Sequence, residues 1–203
     1  MSSELVRQLN DDLEQAINRA LRSLVTVRSG RRGAGAGVVV HPDGLVVTAA
    51  HVLGRGSPEV VLPDGQTVPA RLVGYDESAD LASLSVAARG LTAMELGDST
   101  LLRPGEWVMA LGHPLGVRGA ATGGVVIGVG EGWQPRPGAN REWVSAALHL
   151  RPGHSGGPMI DAQGRLVGIN TIMAGLDIGL AVPVHVVKAF LKNAVRSEQA
   201  VLV

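Results

Sequence analysis

The 203 residues carry 18 basic and 18 acidic side chains, so the formal charge is zero and no basic block offers a footprint for nucleic acid. Aromatics make up 2%, too few for base stacking or an aromatic membrane belt, and the absence of cysteine excludes disulfides and thiolate metal sites. With 45% hydrophobic residues, the chain is long enough for one large domain or two small ones sharing a cleft, held by packing alone.

The opening MSSELVRQLNDD lacks the basic-then-apolar pattern of a leader, so the chain as written is expected in the cytoplasm. A chain already trimmed of its leader would read the same, which leaves a periplasmic or extracytoplasmic location as the alternative. No apolar run is long enough for a transmembrane helix, so membrane insertion is not expected. Leu5, Leu9, Leu13, Ile17, Leu21 and Leu24 recur every three or four residues. Acids fall early (Glu4, Asp11, Asp12, Glu14) and arginines late (Arg19, Arg22), which suits a helix dipole. The spacing predicts a helix from about Ser3 to Ser23. Its apolar stripe either docks on its own domain or makes a subunit contact.

Short valine-rich runs broken by Gly, Pro and Asp follow, the pattern of an all-β barrel or sandwich. The first set is LVTVRS, GAGAGVVVH, LVVTAAHV, EVVLP, TVPARLVGY and DLASLSV, with turns at HPDG, GRGSP and LPDGQ. A second set begins after Leu101: EWVMALG, ATGGVVIGVG, REWVSAALHL, GPMIDAQGRLVGINT and IGLAVP. DAQG signals a hairpin, and WQPRPGAN reads as a flexible loop. VHVVKAFLKNAV is amphipathic and helical, with Pro183 at its entry. The expected organisation is a helix over 1–23, one β unit over 24–100, a second over 101–183, and a helix and tail over 184–203.

The stretch RPGHSGGPMI carries Ser155 in a context that fits two nucleophile motifs. One is the strand–elbow–helix of α/β-hydrolases. It needs a helix directly after the serine, whereas Pro158, the DAQG turn and the strand-like RLVGINTI follow. Its triad would have to be Ser155, Asp177 and His185, in a chain whose upstream half does not alternate strands and helices. The other runs in the order His, Asp, Ser: His51 in TAAHV, Asp80 at the head of DLASLSV, then Ser155. A serine hydroxyl is a weak nucleophile and needs a base within hydrogen-bond reach. Imidazole can take that proton and return it to the leaving amine, and a carboxylate on its far nitrogen sets the tautomer. Gly153 and Gly156 let the backbone turn tightly, so that the N–H groups of Gly153 and Ser155 can aim at one developing oxyanion. Asp76 competes with Asp80 for the acid, but the strand-like run after Asp80 favours Asp80.

The pieces GAGAGVVVHPDGLVVTAAHV, DESADLASLSV, LGDSTLLRPGEWVMALGHPLG, GHSGGPMIDAQGRLVGINT and IGLAVP, in this order and spacing, resemble the HtrA/DegP family of trypsin-like serine proteases. The resemblance runs from about Leu24 to Leu191. It implies an all-β fold of two six-stranded barrels with the cleft between them, cofactor-free hydrolysis of peptide bonds in unfolded or damaged proteins, and often a homotrimer. It assigns His51 as general base, Asp80 as orienting acid, Ser155 as nucleophile, and Gly153 and Ser155 as oxyanion donors. Leu150, Met173 and Ile178 fall where the family builds its specificity pocket, so a small or medium aliphatic residue is expected before the scissile bond. The sequence departs from the family at three places. His154 stands where Asn usually precedes the serine, Ala147 replaces an upstream acid, and His113 replaces Asn in GHPLG. Digestive trypsins have Asp before the serine to capture a new N-terminus; His154 lacks that charge, so activation of that kind is not expected. No PDZ domain follows Val203 in this sequence, and in a complete chain peptide sensing by such a domain would be absent.

His149 and His154 flank the serine, but H-E-x-x-H and cysteine are missing, so no metal site is expected. His41, His113 and His185 lie by turns or a helix start and are expected to be solvated. GAGAG reads as a strand with close backbone packing rather than a nucleotide cradle. Two function classes stay open: an active endopeptidase, and a protease fold kept as a peptide-binding or chaperone module with its oxyanion loop disordered.

Overall fold

The structure is a computed structural model that describes residues 3–30, 32–132, 140–175 and 177–201, with side chains left out at 32–33 and 195–201. Most of the WQPRPGAN segment lies outside the described residues.

Six strands close the first barrel: β1 Leu24–Ser29, β2 Arg32–His41, β3 Leu45–Ala49, β4 Pro58–Val61, β5 Thr67–Asp76 and β6 Leu81–Val86, in the order β1-β2-β3-β6-β5-β4. Six more close the second: β7 Trp107–Gly112, β8 Ala120–Glu131, β9 Glu142–Ala147, β10 Pro158–Asp161, β11 Leu166–Met173 and β12 Ile178–Pro183, in the order β10-β11-β12-β9-β8-β7. Every neighbouring pair is antiparallel. Closure leaves no free sheet edge, and β-branched valines suit the half-buried pleat. The all-β expectation holds, and among the described residues the α-helices stand at the two ends: α1 Ser3–Leu21 and α2 Val184–Val201. Among the described residues no helix is long and apolar enough to cross a membrane.

The α1 helix stops two residues before the expected Ser23, where Arg22 and Ser23 close a turn onto Arg19 and Ala20 carbonyls. Its second half docks on the chain itself. Ala16 and Ala20 are buried, with Leu13, Ile17 and Leu21 packed beside them. Arg19 donates to the Gln163 carbonyl of the DAQG hairpin at 3.0 Å. Gly164 of that hairpin lies against the Ala16 backbone, an approach that a side chain would block. The first half is different: Leu5, Val6 and Leu9 are exposed.

One hydrophobic cluster runs through both barrels, joining Ala36, Val38 and Val47 of the first to Leu111, Ile160 and Ile169 of the second. The seam also carries backbone hydrogen bonds. Ala36 N–H donates to the Ser155 carbonyl at 2.8 Å, and Leu166 N–H donates to the Glu95 carbonyl at 2.8 Å. Gly156 sits on this seam at φ +81°, and a Cβ there would drive into Thr48 Oγ1 and the Ala36 carbonyl. A left-handed alanine costs about 1–2 kcal/mol, and overpacking costs about 1–3 more. Gly156→Ala is therefore expected to lower Tm by about 5–20 °C, given roughly 2–4 °C per kcal/mol for a chain of this size. A melt within about 2 °C of wild type would show that the seam gives way cheaply.

Candidate active site

The groove between the barrels is about 1100 Å³ and is lined by His51, Asp80, Tyr75, Glu77, Arg141 and Ile172, among others. Its first wall comes from the local chemistry of two turns. After β3 the chain makes one helical turn, Ala50–Val52, that presents His51. Between β5 and β6 the turn ends on Asp80, whose φ is +55°. That backbone is uncommon outside glycine and most tolerated by Asp and Asn. Asp76 builds the turn: its Oδ1 accepts the Ser78 hydroxyl at 2.6 Å and the Ala79 N–H at 2.9 Å. Burial works against its charge, but those hydrogen bonds and the nearby Arg141 prevail and hold the carboxyl below its ordinary range. Asp76 is thus occupied as a turn former, and Asp80 is the carboxylate that meets the imidazole.

That meeting is tight. His51 Nδ1 lies 2.8 Å from Asp80 Oδ2 and 3.1 Å from Oδ1, while the His51 N–H donates to Oδ1 at 3.0 Å. The Ala50 N–H donates to the Asp80 carbonyl at 3.1 Å. Asp80 is 6% exposed, so its charge is spent on these donors rather than on bulk solvent. An Nδ1–H given to the carboxylate leaves Nε2 as the free acceptor. Across the groove, the Ser155 hydroxyl donates to the Thr171 carbonyl at 3.1 Å and makes no hydrogen bond with His51. Catalytic hydrogen bonds are often long or turned aside before substrate binds.

The backbone around Ser155 is ordered by its carbonyls. Those of Arg151, Pro152, Gly153, His154 and Ser155 accept, in turn, N–H groups of His154, Leu115, His113, Gly157 and Ala36. Gly153 has φ +105° and its Cα packs on the His113 and Pro114 backbone, so only glycine fits there. Among the described residues, the N–H groups of Gly153 and Ser155 donate to nothing. Two unspent donors beside a nucleophile are what an oxyanion requires.

Of the expected specificity residues, Leu150 and Met173 come together: the Leu150 N–H lies 3.1 Å from Met173 Sδ. Ile178 is more open, at 38% exposure, on the strand that pairs with Ala147. Gly179 lies under Leu148 and Leu150, where a side chain would fill the space. The residues of the rejected elbow reading have other partners. Asp177 pairs with His149 at 3.6 Å, and His185 contacts Glu142 and Ser99. One expectation is corrected. His113 is not solvated: burial, with the Arg118 charge, pushes its imidazole below the ordinary range against the opposing Val25 backbone. A turn position says where the backbone goes, not which way the ring points. Sequence reasoning also missed Thr171, which acts through its carbonyl and so leaves no trace in residue type. It missed Asn170 as well, whose buried amide ties the Leu111 and Pro158 carbonyls.

Two closed barrels with an imidazole–carboxylate pair on one and a glycine-flanked serine on the other define a peptidase domain of the chymotrypsin type. The model of the trypsin-like peptidase domain matches residues 35–169. The chain belongs to the trypsin-like peptidase family, and its likeness within that family is to the HtrA type. Serine protease HTRA2, mitochondrial, of Drosophila pseudoobscura pseudoobscura is 36% identical over 165 residues, 79% of this chain and 39% of the relative. The chain thus spans about two fifths of the length of the curated relatives it matches. Among solved structures, an HtrA-type protease AlgW with a decapeptide superposes with TM-score 0.81 at 26% identity, covering 91% of this chain and 67% of that one. A variant of AlgW with a tripeptide gives 0.81 at 30% identity, covering 89% and 62%.

Proposed function

We propose that the chain is a serine endopeptidase that cleaves peptide bonds of unfolded or damaged proteins through an acyl-enzyme. The observation that carries this reading is the 2.8 Å contact of His51 Nδ1 with buried Asp80, opposite a serine loop whose Gly153 and Ser155 N–H groups are unspent. In this reading substrate turns the Ser155 hydroxyl from Thr171 toward His51 Nε2. The imidazole takes the proton as Oγ attacks the carbonyl carbon, and Asp80 stabilises the imidazolium. The negative oxygen is held by the two N–H groups, each worth roughly 100- to 1000-fold in rate. The imidazolium then gives its proton to the leaving amine, and water repeats the sequence to free the acid. Leu150, Met173 and Ile178 make an apolar subsite that takes an aliphatic side chain.

The disordered-loop premise of the binding-module reading finds no support, since each carbonyl from Arg151 to Ser155 has its donor. We further infer a homotrimer in which the exposed Leu5, Val6 and Leu9 of α1 are covered by a neighbouring copy. One sample tests both points. A fluorophosphonate is expected to modify Ser155 stoichiometrically, and sedimentation is expected to give three chain masses. Folded protein that resists labelling favours the binder, and a single chain mass ends the trimer.

A further inference from the structure

His154 occupies the position beside the nucleophile, yet it does not face the groove. Its ring is 2% exposed and its job is local. Nδ1 accepts the Arg151 N–H at 3.0 Å and also lies 3.2 Å from the Arg151 carbonyl, which takes the His154 backbone N–H at 2.9 Å. This reciprocal clasp closes the turn that holds Gly153 between its two ends. The backbone of a second histidine braces the turn from outside. The His113 N–H donates to the Gly153 carbonyl at 2.9 Å, and its own Nδ1 accepts the Gly119 N–H at 3.2 Å. Gly112 completes the contact, because a side chain there would strike the Gly153 carbonyl and the His154 Cα. Each imidazole thus accepts a backbone N–H at Nδ1, but only the His154 ring does so within the serine loop; the His113 ring holds its own loop, whose backbone reaches Gly153.

An accepting nitrogen carries no proton, so each ring's proton sits on Nε2. The imidazolium has N–H at both nitrogens. Protonating either ring puts a hydrogen on Nδ1 against the N–H it had accepted; at His154 that hydrogen can turn to the Arg151 carbonyl 3.2 Å away, but the Arg151 N–H then loses its acceptor and the clasp must rearrange. Asparagine or aspartate in the position of His154 would accept the Arg151 N–H through an oxygen and would not respond in this way.

We propose that His154 is the positioning residue of the oxyanion hole, and that the loop keeps its catalytic form only while His154 Nδ1 is unprotonated. His113 supports the loop through its backbone N–H, and its ring holds the segment that presents that N–H. The groups acting on the rings are Arg118 on the loop after β7, and Arg151 and His149 on the loop before Ser155; the strand β1 brings only the Val25 backbone. Burial holds both imidazoles below the ordinary range, opposed by a backbone hydrogen bond at each ring, from Val25 at His113 and from Arg151 at His154, and aided by these positive charges, to which His113 adds at His154. Unfolded imidazole takes a proton near pH ~6.5, so between that pH and the lowered values the unfolded chain binds more protons. The stability carried by the pair is complete above about pH 6.5 and is lost as the pH falls through the lowered values.

The proposal rests on the peptidase reading for one arm of its test only. In that arm, the rate of fluorophosphonate labelling at Ser155 is followed against pH. His154→Ala is expected to label about 100-fold more slowly at neutral pH, the loss of roughly one aligned donor. His154→Asn is expected to recover to within about tenfold of wild type, and its acid limb to be shallower by one proton. Superimposable acid limbs for wild type and His154→Asn, or wild-type labelling by a folded His154→Ala, would overturn the proposal. The second arm needs no activity. In Ser155→Ala protein, nitrogen NMR is expected to find His154 Nδ1 without a proton at neutral pH. The amide signals of Gly153 and of the substituted position are expected to shift in step with the titration of that ring. A protonated Nδ1 at neutral pH, or amides indifferent to its titration, refutes the proposal even if nothing labels. Failure of labelling with the NMR result intact counts against the peptidase reading instead.

Discussion

Ser155→Ala is expected to lower kcat for peptide hydrolysis by on the order of 10⁶-fold, with the fold and peptide binding kept. The size follows from losing the nucleophile of a unit whose members act together, so that the remaining His51–Asp80 pair has no hydroxyl to activate. The fold survives because, among the described residues, the hydroxyl makes one hydrogen bond, at 3.1 Å to the Thr171 carbonyl. A bond of that kind is worth about 0.5–1.5 kcal/mol, a small part of the stability of a two-barrel chain. The seam bond from Ala36 uses the Ser155 backbone carbonyl and is untouched. Initial-rate assays on an unfolded protein substrate, with thermal melts of both proteins, check this. Residual cleavage within about tenfold of wild type would remove Ser155 from the chemistry.

Asp80→Asn is expected to lower kcat by roughly 10⁴-fold while KM and Tm stay near wild type. The substitution is mild for the backbone, since asparagine tolerates the φ of +55° found at this position. The amide oxygen can still accept the His51 N–H, which lies 3.0 Å from Oδ1. That places the NH₂ group against His51 Nδ1, where the carboxylate oxygen stood at 2.8 Å. Two donors cannot share that contact, so the imidazole proton moves to Nε2. The nitrogen facing Ser155 then donates where it must accept. A loss of less than about tenfold would mean that the carboxylate does not set the tautomer. A collapse of Tm would instead assign Asp80 to the turn alone.

Much of the fold was legible because barrel strands announce themselves locally. Valine-rich runs between HPDG, LPDGQ and DAQG turns correspond to strands β1 to β6 and β10 to β12. The candidate site was legible for a related reason. His51, Asp80 and Ser155 each sit beside a strand end, and His51 and Asp80 stand 2.8 Å apart in the structure. What stayed hidden were roles performed by backbone atoms or by ring orientation. Asp76 and Asp80 look alike in DESAD, yet hydrogen bonds from Ser78 and Ala79 commit Asp76 to the turn. His113 follows a strand and His41 ends one, and both precede a proline. One is tucked against the serine loop, and the other is 59% exposed at its side chain.

The sequence by itself determined the class: short apolar runs broken by turns mark an all-β barrel or sandwich, and the order histidine, aspartate, serine limits the chemistry that such sheets can carry. Only the tertiary structure decided which N–H groups remain unspent, which carbonyl receives the Ser155 hydroxyl, and that the His154 ring turns inward onto Arg151 of its own loop. The reason is physical. Side-chain periodicity is a property of neighbours a few residues apart. A hydrogen-bond account of the loop instead needs partners from Ala36, Leu115 and Asn170, which meet it only once both barrels have closed.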